Sequence, residues 1–489
     1  MTARTFQSFS GGYAGPVHAT RYNTIVIGMG GMGSAAAYHL ARRGQRVLGL
    51  EQYDVPHDQG SSHGYTRIIR MAYYEHPSYV MLLRRAYELW REIEERSGEQ
   101  LLHITGSIDA GAADSWVFKG ALQAAMEHEL EHEVLTGLEM AEQFPGYRLP
   151  PELLGLWQPD GGFLAPERCI VAYVFEAMRL GAEIHGRERV LRWEPLGDEG
   201  VRVYTDRDVY EADSLVITAG AWNDDMLDFL AGLAVPERQV LAWFQPQRPE
   251  HFQQDNFPVF NLITEEGRFY GFPVHGVPGF KIGRYHHFEE SGPASEIDFE
   301  VYPEDEAMLR DVTSRYFPDG VGPTMTLKAC MFVNSPDGHF LLDLHPRYPQ
   351  VSYASACSGH GFKFASVIGE ILADLAIHRQ TRHGIDLFSH ERFLGSGVAG
   401  ETAVRRHARA GRGAVMPGAE ESRTAGERRS HGSVHRARPL HAARGTRRLA
   451  SDPRLAIRPE RDLPVPTYAS SESERRRAEQ DWKVWSPWG

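Results

Sequence analysis

Residues Thr24–Glu51 read TIVIGMGGMGSAAAYHLARRGQRVLGLE, and this stretch decides the fold. The apolar run Thr24–Ile27 reads as a buried parallel strand, and an Ala-rich helix is expected from about Met32 to Arg43. Between them Gly28, Gly30 and Gly33 stand in G-x-G-x-x-G spacing. A second run, Val47–Leu50, ends in Glu51. Gly28 permits a tight turn, Gly30 lets backbone approach a pyrophosphate, and Gly33 lets helix and strand pack closely. The helix N-terminus offers free N–H groups and partial positive charge to phosphates. Glu51 would accept hydrogen bonds from an adenosine ribose and repel a 2′-phosphate. Strand, fingerprint, helix, strand and terminal acid in this order read as a dinucleotide site, for FAD or for NAD.

The chain of 489 residues has room for two large domains, and its 42% hydrophobic content is ordinary for a folded globular protein. Cys169, Cys330 and Cys357 are too few for a disulfide framework and fit no zinc spacing. A reducing, cytoplasmic setting is expected, without metal. Met1–Thr20 lacks the apolar core of a signal peptide, and no apolar run reaches bilayer length, so no membrane association is expected. The net charge of −13 hides an asymmetry: Gly395–Gly489 carries 19 Lys+Arg against 11 Asp+Glu, a net of +8, leaving −21 on the rest. An acidic body argues against nucleic acid as partner.

Apolar residues recur at helical spacing over Pro77–Ser97 and Ser115–Glu129, and a Gly/Pro-rich passage, Phe144–Pro166, leads into a helix over Glu167–Leu180. Strands are expected at Ala182–His185, Val201–Thr205 and Ser214–Thr218, the last running into TAGAW. Val240–Phe288 reads as several strands of an antiparallel sheet. Gln350–Ala356 is a strand that SGHGFKF (Ser358–Phe364) turns into the helix Ala365–Ile377. This order predicts two discontinuous domains. Beyond Phe393 the chain is rich in Arg, Ala, Gly, Ser and Pro without amphipathic period, and disorder is expected there. A dispensable tail is the simpler reading, a basic arm for anionic surfaces the other.

GSSHGYTRIIR (Gly60–Arg70) gathers His63, Arg67 and Arg70 among small residues. Arginines are costly to bury singly, so the cluster suits an anionic ring, phosphates or a carboxylate; an exposed basic loop is the alternative.

The succession GMGGMG, SSHGYTRIIR, TAGAW, FYGFP, KACMF and SGHGFKF resembles the monomeric sarcosine oxidase and N-methyltryptophan oxidase family, FAD amine oxidases of the D-amino-acid-oxidase-like group. The resemblance spans about Tyr22–Phe393. It implies an α/β fold: a Rossmann-like FAD-binding domain (22–88, 158–222 and 323–393) interleaved with an α+β catalytic domain (89–157 and 223–322) on a mostly antiparallel sheet. An N-terminal extension (1–21) and an Arg-rich tail (394–489) flank them. It implies a monomer acting on an amino acid and dioxygen.

The resemblance also assigns residues. Cys330 matches the cysteine that bonds through sulfur to the flavin, and Lys281 the lysine that assists dioxygen reduction. Arg70 and Lys363 match a substrate-carboxylate clamp. His63 and Arg67 match residues near the flavin, and Tyr270 an aromatic lining the pocket. Gly28, Gly30, Gly33, Glu51, Arg67, Val190, Gly220, Cys330, Gly359, Gly361 and Lys363 make up the cofactor set. His286 corresponds to the active-site histidine after K-x-G, but GRYHH holds an extra residue and His287 competes for the role. Val333 stands where a hydroxyl is expected, and Asn261 where an apolar side chain is. The implied activity is oxidative demethylation of a secondary amino acid, sarcosine first, to glycine, formaldehyde and hydrogen peroxide. N-Methyltryptophan or a cyclic imino acid such as pipecolate is the alternative within the class. An NAD-dependent dehydrogenase, or a binding protein on a vestigial flavin fold, lies outside it.

Overall fold

The computed structural model describes residues 21–394. The expectations for residues 1–20 and 395–489 lie outside the described residues. Strand Arg21–Ile27 lies inside an eight-stranded sheet, paired in parallel with Val47–Leu50 and with Val209–Ile217. Val47–Leu50 continues in parallel to Glu183–His185, and the end of Val209–Ile217 pairs in parallel with Val351–Ser355. Val47–Leu50 is buried throughout, as a parallel strand covered on both faces must be. Helices Gly31–Arg42, Tyr79–Ser97, Pro166–Arg179 and Ala365–His378 share one core on this sheet. The alanines of the first helix let its neighbours approach closely, and ten of its twelve residues are buried.

A second eight-stranded sheet runs in the order Thr324–Asn334, Val235–Phe244, Phe280–Arg284, Gly267–Phe272, Val259–Thr264, Ser107–Gly111, Leu154–Gln158, Glu133–Thr136. All pairings are antiparallel except Ser107–Gly111 against Val259–Thr264. Period-two alternation splits its side chains between two faces. Ile108, Ala242, Phe260, Phe280 and Ile282 pack against Leu309 and Val312 of helix Pro303–Tyr316. The other face carries Leu241, Trp243, Val259, Tyr270, Phe272, Cys330 and Phe332. By the same alternation Asp109, Asn261 and Lys281 belong to that second face. A three-stranded sheet, Arg67–Ile69, Gly162–Leu164 and Leu102–Ile104, completes the set.

The segment bounds depart from the sequence expectation in three places. Thr324–Asn334, expected in the nucleotide-binding part, is hydrogen-bonded along its length to Val235–Phe244, so Cys330 sits on the antiparallel sheet. Helix Tyr79–Ser97 crosses the expected boundary at 88/89 because Leu83, Leu89, Trp90 and Ile93 bury in one core. The Gly/Pro-rich passage holds two strands, Leu154–Gln158 and Gly162–Leu164. No helix among the described residues is long and apolar enough to cross a membrane.

Candidate active site

The glycine loop is shaped as its sequence requires. Gly28 has φ +85°, and a Cβ there would lie 2.4 Å from Thr218 O. A Cβ on Gly33 would lie 1.8 Å from Gly28 O, so helix and strand could not close with any larger residue. The helix Gly31–Arg42 has no side-chain cap from its N-cap residue and no acid in its first turn; Gly31 N donates to Ser62 Oγ at 3.4 Å, and the N–H groups that follow are left to a phosphate. Glu51 accepts from Met29 N at 2.9 Å and Tyr53 N at 3.0 Å. Burial opposes its charge, but His57 and these bonds hold its carboxyl below the usual range.

A cavity of about 410 Å³ runs from this loop to the antiparallel sheet. Gly28, Gly30, Glu51, Val190, Gly220, Arg67, Arg70, Tyr270, Cys330, Gly359, Gly361 and Lys363 all line it. Residues scattered over more than three hundred positions are thus brought to one space, because both sheets direct strand ends and faces toward it. Gly33 lies beneath, at the helix–strand contact.

Arg70 is 1% exposed. Its Nη2 donates to Glu75 at 2.7 Å and its Nη1 to Ala72 O at 2.7 Å, while Nε lies 3.6 Å from Asp109 and makes no hydrogen bond. Its guanidinium stacks on Tyr74, 3.7 Å from the ring centre. Burial would raise the Glu75 carboxyl, but Arg70 draws it down to about 2. Asp109 behaves oppositely: burial lifts its carboxyl to about 6 despite Arg70 and Asn261. Lys363 Nζ donates to His360 O at 2.6 Å. Burial, helped by Arg70 and opposed by Glu75, lowers its ammonium to about 7. Lys363 is therefore the cation of the pair whose charge a bound anion can switch on.

Cys330 is buried, and burial pushes its thiol up while Arg67 and Lys281 pull it down. Arg67 is held by Thr66 O and Ser61 O at 2.9 and 2.8 Å. Lys281 does not line the cavity itself. Its Nζ donates to Gly64 O, Thr66 O and Thr66 Oγ1 at 2.8, 3.0 and 2.9 Å, in the loop that leads into the strand Arg67–Ile69. Burial and then Arg67 push its ammonium well below the usual range. His63 also lies outside the cavity lining; both its ring nitrogens are buried without a partner, and burial lowers it to about 3.

His286 and His287, the two candidates for an active-site histidine, do not line the cavity. Strand Phe280–Arg284 ends just before Tyr285, and Tyr285 takes the cavity-lining position. His286 turns to Glu237 at 3.0 Å and is half-exposed, while His287 is buried against Asp305 at 2.8 Å. The sequence reading also missed Glu75, Asp109 and Arg268. Arg268 and Tyr270 share a strand face by period-two spacing, a signal that FYGFP alone does not bring out. Arg268 stacks on Tyr285 at 3.4 Å and donates to Tyr74 OH at 2.6 Å.

A family model described as FAD dependent oxidoreductase matches residues 23–375. The chain belongs to that family. It is 41% identical over 376 residues to the monomeric sarcosine oxidase of Streptomyces avermitilis, covering 76% of this chain and 97% of that protein. It is 32% identical to the N-methyl-L-tryptophan oxidase of Yersinia pestis, covering 76% of this chain and 99% of that one. Among solved structures, NikD, an unusual amino acid oxidase essential for nikkomycin biosynthesis, superposes with a TM-score of 0.66 at 25% identity over 76% of this chain and 97% of that one. The α/β fold and the assignment as an FAD-dependent oxidoreductase follow, and the NAD-dependent reading falls away.

The residues present fit FAD. The open helix N-terminus suits a pyrophosphate, and Glu51 at the end of Val47–Leu50 suits a ribose. The thiol of Cys330 stands on the part of the cavity built by the antiparallel sheet, while the unpartnered nitrogens of His63 lie outside its lining.

Proposed function

We propose that the protein is a flavin-dependent oxidase that demethylates a secondary amino acid, sarcosine first, to glycine and formaldehyde, with release of hydrogen peroxide. The observation that carries this reading is that Cys330, Arg70 and Lys363 line the same cavity as the glycine loop and Glu51. The likeness to sarcosine oxidases supports the choice of substrate. FAD, when bound, supplies the two-electron acceptor, tethered through Cys330.

Lys363 and Arg70 hold the substrate carboxylate. Arg70 is already balanced by Glu75, so Lys363 contributes most of the uncompensated charge, and Arg70 supplies its free Nε as a donor. The positive charge of Arg70, Arg268 and Lys363 disfavours an ammonium and keeps the reacting amine neutral. Tyr270 and Phe332 on the sheet face exclude water and fix the amine's approach. Lys281, its three N–H groups held by Gly64 and Thr66, acts on the growing negative charge of dioxygen through its positive charge rather than as a hydrogen-bond donor. The protein acts as a cytoplasmic monomer on this reading, in keeping with the free thiols of Cys169, Cys330 and Cys357.

A peroxide-release screen of the purified holoenzyme over sarcosine, N-methyltryptophan, pipecolate and proline tests the assignment. Sarcosine is expected to be oxidised with stoichiometric formaldehyde. Peroxide from the cyclic or indole substrates but not from sarcosine would move the assignment to them, and peroxide from none would end it.

A further inference from the structure

Asn261 departs from the apolar residue expected at its position, and the structure gives that departure a chemistry. Asn261 pairs with Tyr270 on one side and with Asp109 on the other, so three side chains stand in one row on the cavity face of the sheet. Asn261 is 2% exposed, and the surface it retains lines the cavity. Its Nδ2 donates to Asp109 Oδ1 at 2.8 Å, its only side-chain hydrogen bond among the described residues. Asp109, 1% exposed and not itself a lining residue, therefore fixes the amide orientation, and Asn261 Oδ1 remains an unused acceptor. A purely apolar substrate would leave that acceptor buried and unpaired, which is costly.

From this geometry we infer that Asn261 is a specificity determinant that accepts a hydrogen bond from a hydroxyl group on the substrate, outside its carboxylate. The donor is neutral. Arg70 lies beside Asp109, Lys363 lines the same cavity, and Arg268 stacks behind Tyr285, so a second ammonium on the substrate would be repelled. The inference rests on the amine-oxidase reading above and deepens it: among substrates larger than sarcosine, a hydroxylated N-alkyl amino acid is preferred to its unhydroxylated counterpart.

Two matched pairs test this on the holoenzyme, with sarcosine as control. N-Methylserine against N-methylalanine places the hydroxyl on the α-carbon side, and N-(2-hydroxyethyl)glycine against N-ethylglycine places it on the nitrogen side. In at least one pair the hydroxylated member is expected to have a kcat/KM about tenfold higher or more. Asn261→Leu is expected to erase that ratio. Sarcosine oxidation with no hydroxyl preference in either pair would overturn the inference and leave the amine-oxidase reading intact. A preference that survives Asn261→Leu would equally remove Asn261 from the role. Failure of every amine, sarcosine included, would instead overturn the reading on which it rests.

Discussion

Arg70 donates to the carboxylate of Glu75 at 2.7 Å, with the arginine side chain 2% and the glutamate side chain 10% exposed. A guanidinium so buried needs a resident anion whether or not substrate is bound, and Glu75 is that anion. Glu75→Gln would leave Arg70 with Asp109 alone, and a loss of about 3–5 kcal/mol in stability is expected, read as a fall in Tm. Because the Glu75 carboxyl is held at about 2, below its ordinary value, its contribution is present above about pH 4.5 and fades as the pH drops toward 2. The Tm gap between wild type and variant should therefore narrow in acid. A gap that stays constant from neutral pH down to that range would contradict the pairing.

Lys363 offers a second handle on pH. Its ammonium is lowered to about 7, so in the free protein it is largely neutral above that pH, and a carboxylate docked beside it raises its proton affinity. Binding of methoxyacetate, which has the carboxylate but no amine, is expected to take up close to one proton at about pH 8. Calorimetry in two buffers of different ionisation enthalpy reads that uptake. Lys363→Met should abolish it and weaken binding; identical heats in both buffers for the wild type would exclude Lys363 from the clamp.

For Lys281 the expected effect is confined to one half-reaction. Lys281→Met removes a positive charge fixed by Thr66 and Gly64, and reoxidation of the reduced holoenzyme by dioxygen should slow by about a hundredfold. Anaerobic reduction by substrate should change far less. Stopped-flow absorbance separates the two, and equal losses in both would assign Lys281 a structural role.

The tether is open to direct chemistry. Acid precipitation of the wild-type holoenzyme is expected to leave the yellow colour in the pellet, whereas Cys330→Ser should release it to the supernatant. A colourless wild-type pellet would show that the Cys330 thiol, which burial keeps protonated in the free chain, is never joined to the cofactor.

What could be read in advance follows the reach of the physical signal. The parallel strand Val47–Leu50 and the helix that opens at the glycine loop are local patterns, an apolar run and an alanine period, and both appear within a residue of their expected bounds. Lys363, Arg70 and Cys330 line one cavity, although no local pattern joins their three segments. The antiparallel sheet was harder, because its strands pair across long separations. Cys330 belongs to it through Val235–Phe244, a partner no local pattern announces. The pairing of Asp109 with Asn261 spans 152 positions and depends on a parallel register invisible in either strand alone. Which side chain faces the cavity after K-x-G is set by a single residue at the end of Phe280–Arg284, too fine a register for the sequence pattern, and Tyr285 holds that place.

On the proposed function one cavity brings an amino acid's amine against a bound flavin, and anaerobic mixing of the yellow holoenzyme with sarcosine tests this most directly. The visible absorption should bleach in a single turnover, and admission of air should restore it with one equivalent of hydrogen peroxide per flavin. A spectrum left unchanged by sarcosine and by every other secondary amino acid would contradict it.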